Sequence, residues 1–170
     1  MMDARRYKWL NAALFQVGWF CCILGSTFDA LLATAFFMSV HLGLVKARTK
    51  EFIFVLQIAL AGFSLDYMLF SMGYIKLSMD GSFPWFMLCL WVLFASTLNW
   101  SYNYLVSKPS IAIISGIVAP LSYFAAQGMG KVEYLKSTAE CFIVHGLVWV
   151  SFLVFIHFIE FSKESLNHAR

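Results

Sequence analysis

The stretch FIFVLQIALAGFSLDYMLFSMG, residues 52–73, decides the fold class of this chain. It contains no basic residue, and it is longer than the roughly 20 apolar residues that a helix needs to cross a bilayer. The pattern therefore predicts a transmembrane helix. Its one acidic residue is Asp66. Because an unpaired charge in hydrocarbon costs several kcal/mol, this carboxylate must be neutralised or paired, which makes Asp66 the first candidate for a functional site.

The whole chain has the same apolar character. Of its 170 residues, 61% are hydrophobic, 18% are aromatic and 12% are charged, and the mean hydropathy is +0.77. A soluble core does not need so much apolar surface, so the composition predicts an integral membrane protein. The net charge of +3 comes from basic residues that lie between the apolar segments, and we expect no nucleic-acid partner.

Six apolar segments predict an all-α bundle of about six transmembrane helices that forms one domain over residues 1–170. The approximate spans are 8–25, 28–45, 52–73, 84–106, 110–129 and 138–161. A transmembrane β-barrel would show segments of about ten residues with alternating hydrophobicity, which these runs lack. The segment boundaries also carry helix-start signals. Ser26 with Asp29 and Ser137 with Glu140 each fit a capping box, and Pro84 and Pro109 fit the first turn of a helix.

Lysine and arginine are divided unequally between the two sets of segment ends. Nine of the twelve lie at one set, and Lys76, Lys131 and Lys136 lie at the other. The positive-inside rule therefore predicts that both termini are cytoplasmic.

Several unusual side chains are predicted to lie at a common depth. Counting about 1.5 Å per residue from the predicted outer end of each helix places them roughly 9–14 Å below the surface. They are Trp19, Asp66, Trp91, Tyr123 and His145, with Gln127 and Glu140 about one turn nearer the surface. One pocket in the outer half of the bundle is able to contain them all.

Few groups are available to balance a charge on Asp66, because the predicted span interiors contain no lysine or arginine. The carboxyl group either stays protonated and bonds to Tyr123 or to a backbone carbonyl, pairs with protonated His145, or binds an incoming cation or proton. We treat Asp66, His145 and Tyr123 as candidate catalytic residues. A neutral aspartate that joins helices, at about 0.6–2 kcal/mol per contact, is an equally consistent interpretation.

Pro120 lies in the middle of a predicted span, in GIVAPLSYFA. It cannot donate a hydrogen bond to the carbonyl of Gly116, so we expect the fifth helix to bend or open there. In transporters such interruptions often mark a binding site. The alternative is a simple kink packed by small neighbours.

A second polar set is predicted near the cytoplasmic surface, where it would join helices. Its members are Asn11, His41, Gln57, Asn99, Asn103 and His157. Asn99 and Asn103 are expected on one face of the fourth helix. The pairs Ser39 with Gly43 and Ala112 with Gly116 have the small-xxx-small spacing that lets helices approach closely.

Known catalytic motifs are absent from the sequence. It contains no GxSxG, no HExxH and no phosphate-binding loop, and its cysteines and histidines lack metal-site spacing. We therefore predict neither a metal site nor a cofactor. Whether the chain is an enzyme stays open at this point.

Four stretches together resemble a family of small bacterial inner-membrane proteins classed only as a domain of unknown function. They are NAALFQVGWFCCILG, SLDYMLFSMGYI, PWFMLCLWVLFASTLNWS and APLSYFAAQGMG. The motif positions are Asn11, Trp19, Asp66, Gly73, Pro84, Trp85, Trp91, Phe94, Ala95, Pro120, Tyr123 and Gly130. The chain departs from the family pattern at FAAQ, residues 124–127, where the family usually has a small residue followed by glycine. The resemblance implies a setting in membrane-lipid modification or envelope stress, because genes of this family tend to neighbour those for modified fatty acids.

These observations lead to one main hypothesis and two alternatives. The main one is an accessory membrane protein of modified-fatty-acid metabolism, whose partners are membrane lipids and lipid-modifying enzymes. The first alternative is an intramembrane lipid-modifying enzyme in which Asp66 and His145 act as acid and base. The second is a small proton- or cation-coupled transporter that uses Asp66 and hinges at Pro120. The oligomeric state is not predicted.

Overall fold

The computed structural model describes residues 4–78 and 83–168, with side chains over 5–78 and 83–159. Residues 79–82 of the predicted loop 74–83 lie outside the described residues. Lys163 and Arg170, which contribute to the predicted sidedness, lie beyond the described side chains.

The described chain is mainly helical. Its helices are α1 (Ala4–Leu24), α2 (Thr27–Leu44), α3 (Arg48–Ser71), α4 (Trp85–Leu98), α5 (Pro109–Val118), α6 (Pro120–Gly128) and α7 (Thr138–His168), with a 3₁₀ turn at Asn103–Val106. Because α5 and α6 form one rod broken at its centre, the bundle has the six rods that the sequence predicts. Four segments in the described residues are long and apolar enough to cross a membrane, namely Thr27–Leu44, Arg48–Ser71, Pro109–Gly128 and Thr138–Ile159.

The fourth helix is shorter than predicted. It ends at Leu98, whereas the predicted span runs over 84–106. Beyond it the backbone N–H groups of Trp100 and Tyr102 both bond to the carbonyl of Thr97, which closes a turn. The side chains of Asn99 and Trp100 bond instead to Glu51 on α3, so tertiary contacts hold this segment out of the helix. The prediction that Asn99 and Asn103 share one face of a continuous helix is therefore wrong.

A short two-stranded sheet, which the sequence analysis did not predict, connects two of the loops. Strands β1 (Ile75–Leu77) and β2 (Val132–Tyr134) pair antiparallel, with Lys76 opposite Glu133. We call this end of the bundle the sheet end.

Both strands follow a helix that ends in the same way. Gly73 after α3 and Gly130 after α6 have positive φ angles of 72° and 77°. At each site two backbone hydrogen bonds close a Schellman motif, for example Gly73 N–H to the Phe70 carbonyl and Tyr74 N–H to the Leu69 carbonyl. Only glycine adopts this left-handed conformation without strain, so these two glycines direct the chain from helix into sheet.

Small residues set the closest helix contacts. On α5, Ala112 and Gly116 are both buried, and a Cβ atom added to Gly116 would lie 2.5 Å from the backbone N and Cα atoms of Val150 on α7. The predicted small-xxx-small contact at this pair is thus present. Gly43, in contrast, has no atom within 4 Å of such a Cβ, so the Ser39 and Gly43 pair makes no close approach there.

The predicted helix-start signals are largely confirmed. Ser26 and Asp29 form a reciprocal capping box at the start of α2, and Pro109 occupies the first turn of α5. At the start of α7, Ser137 Oγ accepts a hydrogen bond of 3.2 Å from the backbone N–H of Glu140.

Candidate functional site

A groove of about 540 Å³ runs along the bundle between α1 on one side and α5 and α6 on the other. Side chains of α4 and α7 form its floor. Its lining is mostly apolar and aromatic, and several lining residues, including Ile114, Val118 and Leu121, are exposed on the outer surface of the bundle. Because these residues belong to the candidate span Pro109–Gly128, the groove opens on a face that is apolar enough to meet lipid.

Asp66 lies in the wall of this groove and is itself only 2% exposed. Helix α3 places it one turn before the end of the helix. Each of its carboxyl oxygens accepts one hydrogen bond: Trp91 Nε1–H donates to Oδ2 at 2.6 Å, and the Tyr123 hydroxyl donates to Oδ1 at 2.6 Å. Three of the predicted residues, on three different helices, therefore meet at one point.

A second tryptophan, Trp149 on α7, completes the arrangement. Its Nε1–H donates to the Tyr123 hydroxyl at 3.3 Å, so Tyr123 accepts one hydrogen bond and donates another to Asp66. The rings of Trp149 and Trp91 are stacked, with centroids 4.8 Å apart. Trp149 was missed by the sequence analysis, and only its place four residues after His145 on the same helix face pointed to it.

The position of Trp91 depends on a glycine. A Cβ atom at Gly62, one turn before Asp66 on α3, would overlap the six-membered ring of Trp91. With glycine there, the indole lies flat against the α3 backbone and its N–H reaches the carboxylate.

His145 does not contact Asp66. It is fully buried, its ring packs against that of Tyr123 with centroids 4.6 Å apart, and its Nδ1 lies 2.7 Å from the carbonyl of Cys141. This carbonyl can only accept, so we assign the ring proton to Nδ1. Within the described residues, Nε2 has no hydrogen-bond partner. The Asp66–His145 ion pair, one of the three alternatives above, is absent from this geometry.

Tyr134 on β2 lies near the other side of the imidazole, with ring centroids 6.0 Å apart. Burial, and to a smaller extent the thiol of Cys141, raise the pKa of this phenol to about 12. The hydroxyl therefore stays protonated near neutral pH. The Tyr134 hydroxyl and Gln127 Oε1 are buried and have no partner in the described part of the chain.

Of the other residues predicted to line the pocket, some line the groove and some do not. Trp19 lines the groove, whereas Gln127 and His145 do not. Pro120 is buried behind the wall, but Ala119 and Leu121 on either side of it line the groove. The expected interruption at Pro120 is present as the break between α5 and α6.

Glu140 lies outside the pocket that the sequence analysis assigned to it. It is exposed in the first turn of α7, where a carboxylate is favourable because of the helix dipole. The predicted capping box with Ser137 gives Glu140 this place, and depth along a helix does not fix which face a side chain occupies.

A second polar cluster lies at the end of the bundle opposite the sheet, centred on Glu51. The Glu51 carboxylate accepts hydrogen bonds from His41 Nε2 at 3.0 Å, Asn99 Nδ2 at 3.1 Å and Trp100 Nε1 at 3.1 Å. His41 Nδ1 is then free to accept from the Tyr7 hydroxyl. We call Tyr7, His41, Glu51, Asn99 and Trp100 the Glu51 cluster.

The Glu51 cluster joins the first four helices. Asn11, which was predicted in this region, extends it: Asn11 Nδ2 donates to the Ser96 carbonyl at 3.3 Å, and Asn11 Oδ1 accepts from Ser101 Oγ at 2.6 Å. Glu51 itself was placed in a loop by the sequence analysis, yet it is only 8% exposed. Its partners leave no unsatisfied atom at this carboxylate, which is typical of a structural cluster.

The described residues contain no group of three or more His, Cys, Asp or Glu side chains positioned to hold a metal ion. No match to a curated protein or to a solved structure was found. One family profile does match, over residues 8–155, and its description is "Protein of unknown function (DUF2878)". Since the match covers most of the 170 residues, this helical chain with four possible membrane spans belongs to the DUF2878 family.

Proposed function

We propose that this protein binds the hydrocarbon chain of a membrane lipid in the groove and serves membrane-lipid metabolism as an accessory protein. The observation that carries the proposal is the groove itself. Its volume of about 540 Å³ lies within the roughly 300–1,000 Å³ of typical ligand pockets, and its lining is mainly apolar. Its setting is the bacterial inner membrane, with both termini in the cytoplasm and the sheet end outside.

Binding from a bilayer differs from binding from water. A lipid tail is already in hydrocarbon, so it gains no hydrophobic free energy on entering the groove. Packing against rigid rings and contacts at polar groups must then provide the selectivity. Phe94 and Trp149 supply such rings in the lining, and Asp66 and Tyr123 supply the polar contacts.

An accessory role is supported by the chemistry around Asp66. Both of its oxygens are held by neutral donors, and its nearest imidazole, His145, packs behind Tyr123 rather than against it. This arrangement lacks an acid and a base in contact. The lipid-modifying enzymes suggested by the family's setting would then carry out the chemistry, with this protein as a lipid-binding partner.

An intramembrane lipid-modifying enzyme is the second candidate. It is favoured by one observation: Asp66 and Tyr123 are hydrogen-bonded to each other and both line the groove. An enzyme of this kind needs the Asp66 carboxyl group for proton transfer. Incubation of the purified protein with membrane lipids in nanodiscs separates the two candidates, because only an enzyme forms a product without a partner protein and loses that product in Asp66→Asn.

Photolabelling tests the proposed lipid site. We expect a neutral, diazirine-bearing hexadecanol, added to the protein in phosphatidylcholine nanodiscs, to label Leu153 and Phe94. Leu153 is only 1% exposed yet lines the groove, so a probe in the surrounding bilayer does not reach it. Peptide mass spectrometry of the labelled protein locates the adducts.

A matched pair of variants controls for labelling from the bilayer. Ser115→Phe places a ring in the groove wall and should reduce the Leu153 adduct at least fivefold. Ser39→Phe makes the same change on the exposed face of α2 and should leave it unchanged. Labelling confined to outward-facing residues such as Leu32 would contradict the proposed function.

A further inference from the structure

The groove contains an acidic side chain whose oxygens both accept hydrogen bonds, and its lining offers no basic group to balance it. Asp66 is the only carboxylate among the described residues that line it, and no lysine, arginine or histidine shares the lining. Its two hydrogen-bond donors, the indole of Trp91 and the phenol of Tyr123, are neutral groups. They orient the carboxylate and stabilise it, but they carry no positive charge.

The sequence excludes compensation from the helix interiors. Lysine and arginine are absent from segments 9–45, 52–73, 84–106, 110–129 and 138–159. Lys131, near the sheet end, is engaged elsewhere, since its Nζ donates to the Gly25 carbonyl at 3.0 Å and lies 5.2 Å from the ring centroid of Phe86. His145 is turned toward the Cys141 carbonyl.

The surroundings of Asp66 select the charge of a ligand. An anionic head group beside Asp66 would meet a like charge at low dielectric with no basic residue to offset it. A cationic head group would instead pair with the carboxylate, whose oxygens each have one lone pair left after accepting a single hydrogen bond. The aromatic rings of the lining also favour a cation over an anion.

The shape of the groove selects the remainder of the ligand. Contacts between lining residues give its course: Trp91, which bonds to Asp66, packs against Phe94, and Phe94 packs against Phe15. Phe15 in turn packs against Tyr102, whose carbonyl accepts a hydrogen bond from the N–H of Leu105. Phe94, Phe15 and Leu105 are apolar. A small hydrated ion would leave this length unfilled and would lose its hydration shell for one carboxylate. A hydrocarbon chain fills it.

We therefore propose that the ligand is an alkylammonium amphiphile, with its protonated amine at Asp66 and its hydrocarbon chain along Phe94, Phe15 and Leu105. This inference rests on the proposed lipid-binding function and names the chemical class of the ligand. Trp91 and Tyr123 are positioning residues in this site, because they hold the carboxylate toward the groove.

Tryptophan quenching by brominated probes of one chain length provides the test. The probes are 6-bromododecylammonium, 6-bromododecanol and 6-bromododecanoate, added to the protein in phosphatidylcholine nanodiscs at equal mole fraction in the bilayer. With the head group at Asp66, a bromine in the middle of the chain lies beside Phe94, whose ring packs against both Trp91 and Trp149. We expect the wild type to bind the ammonium probe at least tenfold more tightly than the alcohol, and the carboxylate most weakly.

Two conservative variants test whether the preference for the ammonium probe depends on the charge of Asp66. Asp66→Asn should lose this preference and bind the ammonium probe no more tightly than the alcohol. Tyr123→Phe keeps the carboxylate and should retain at least a threefold preference for the ammonium probe. Near-ultraviolet circular dichroism, which reports the stacked rings of Trp91 and Trp149, shows that each variant still forms the groove.

The outcomes separate the inference from the function on which it rests. Equal binding of all three probes by the wild type, or a preference that persists in Asp66→Asn, overturns the alkylammonium ligand and leaves chain binding in place. Failure of every probe to quench above the level seen with Ser115→Phe overturns both.

Discussion

Replacing Glu51 by alanine is expected to lower the free energy of unfolding by about 1–3 kcal/mol, the cost of leaving a buried hydrogen-bonding group without its partner. The carboxylate accepts three hydrogen bonds, from His41, Asn99 and Trp100, and it is buried. Alanine would leave the buried His41 without its acceptor, whereas Asn99 is exposed and Trp100 is half-buried, so water partly replaces the bonds that these two residues lose. Detergent-micelle unfolding followed by circular dichroism measures the loss.

The sheet offers a matched control for this change. Glu133 also forms an ion pair, with Lys76 at 3.1 Å, but the two side chains are 63% and 64% exposed. Exposed pairs contribute about 0–1 kcal/mol, so Glu133→Ala should have little effect. If the Glu51 and Glu133 variants were equally stable, the Glu51 cluster would not hold the helices together as argued above.

Replacing Gly116 by alanine is expected to destabilise the bundle by about 1–3 kcal/mol, the usual cost of overpacking a core. The added methyl group would lie 2.5 Å from the backbone N and Cα atoms of Val150, and backbone atoms cannot move aside as a flexible side chain does. Helices α5 and α7 would have to separate, and this would shift the α5 wall of the groove. The same unfolding assay measures the change.

Gly43→Ala is the control, with an expected effect of opposite sign. Gly43 is a helical glycine whose added Cβ meets nothing within 4 Å. Alanine there should stabilise α2 by up to about 1 kcal/mol, because alanine has the higher helix propensity. Equal effects at the two glycines would show that the α5 and α7 contact is looser than the structure has it.

Four of the residues that the sequence placed at one depth do lie together in the structure. Asp66, Trp91, Tyr123 and Trp19 were grouped by depth, and all four line one groove. Depth follows from the constant rise of a helix, so it can be counted along the chain. The direction in which a side chain points depends on how its helix is rotated about its own axis. A helix that is apolar on every face gives no sequence signal for this rotation, so depth alone wrongly put Glu140 in the pocket.

Glu51 is a residue whose burial could not be predicted from its neighbours in the sequence. In the sequence it follows KARTK and reads as part of a charged loop. Its burial depends on His41, Asn99 and Trp100, which come from two other parts of the chain. Asn99 and Trp100 directly follow the end of α4 at Leu98, so the residues that were wrongly placed in the fourth helix are the same ones that bind Glu51.

By itself, the sequence determined that this is a helical chain with spans long enough for a bilayer, that the interiors of these spans contain no basic residue to neutralise Asp66, and that Pro120 interrupts a helix. These properties depend on composition, on segment length and on local backbone chemistry, all of which are local to the chain. The tertiary structure alone decided that Asp66 meets Trp91 and Tyr123 rather than His145 and that these groups face a groove. The physical reason is that the partners of Asp66 and the shape of the groove depend on close packing between helices. Contacts such as Gly62 against Trp91 join residues that are far apart in the chain.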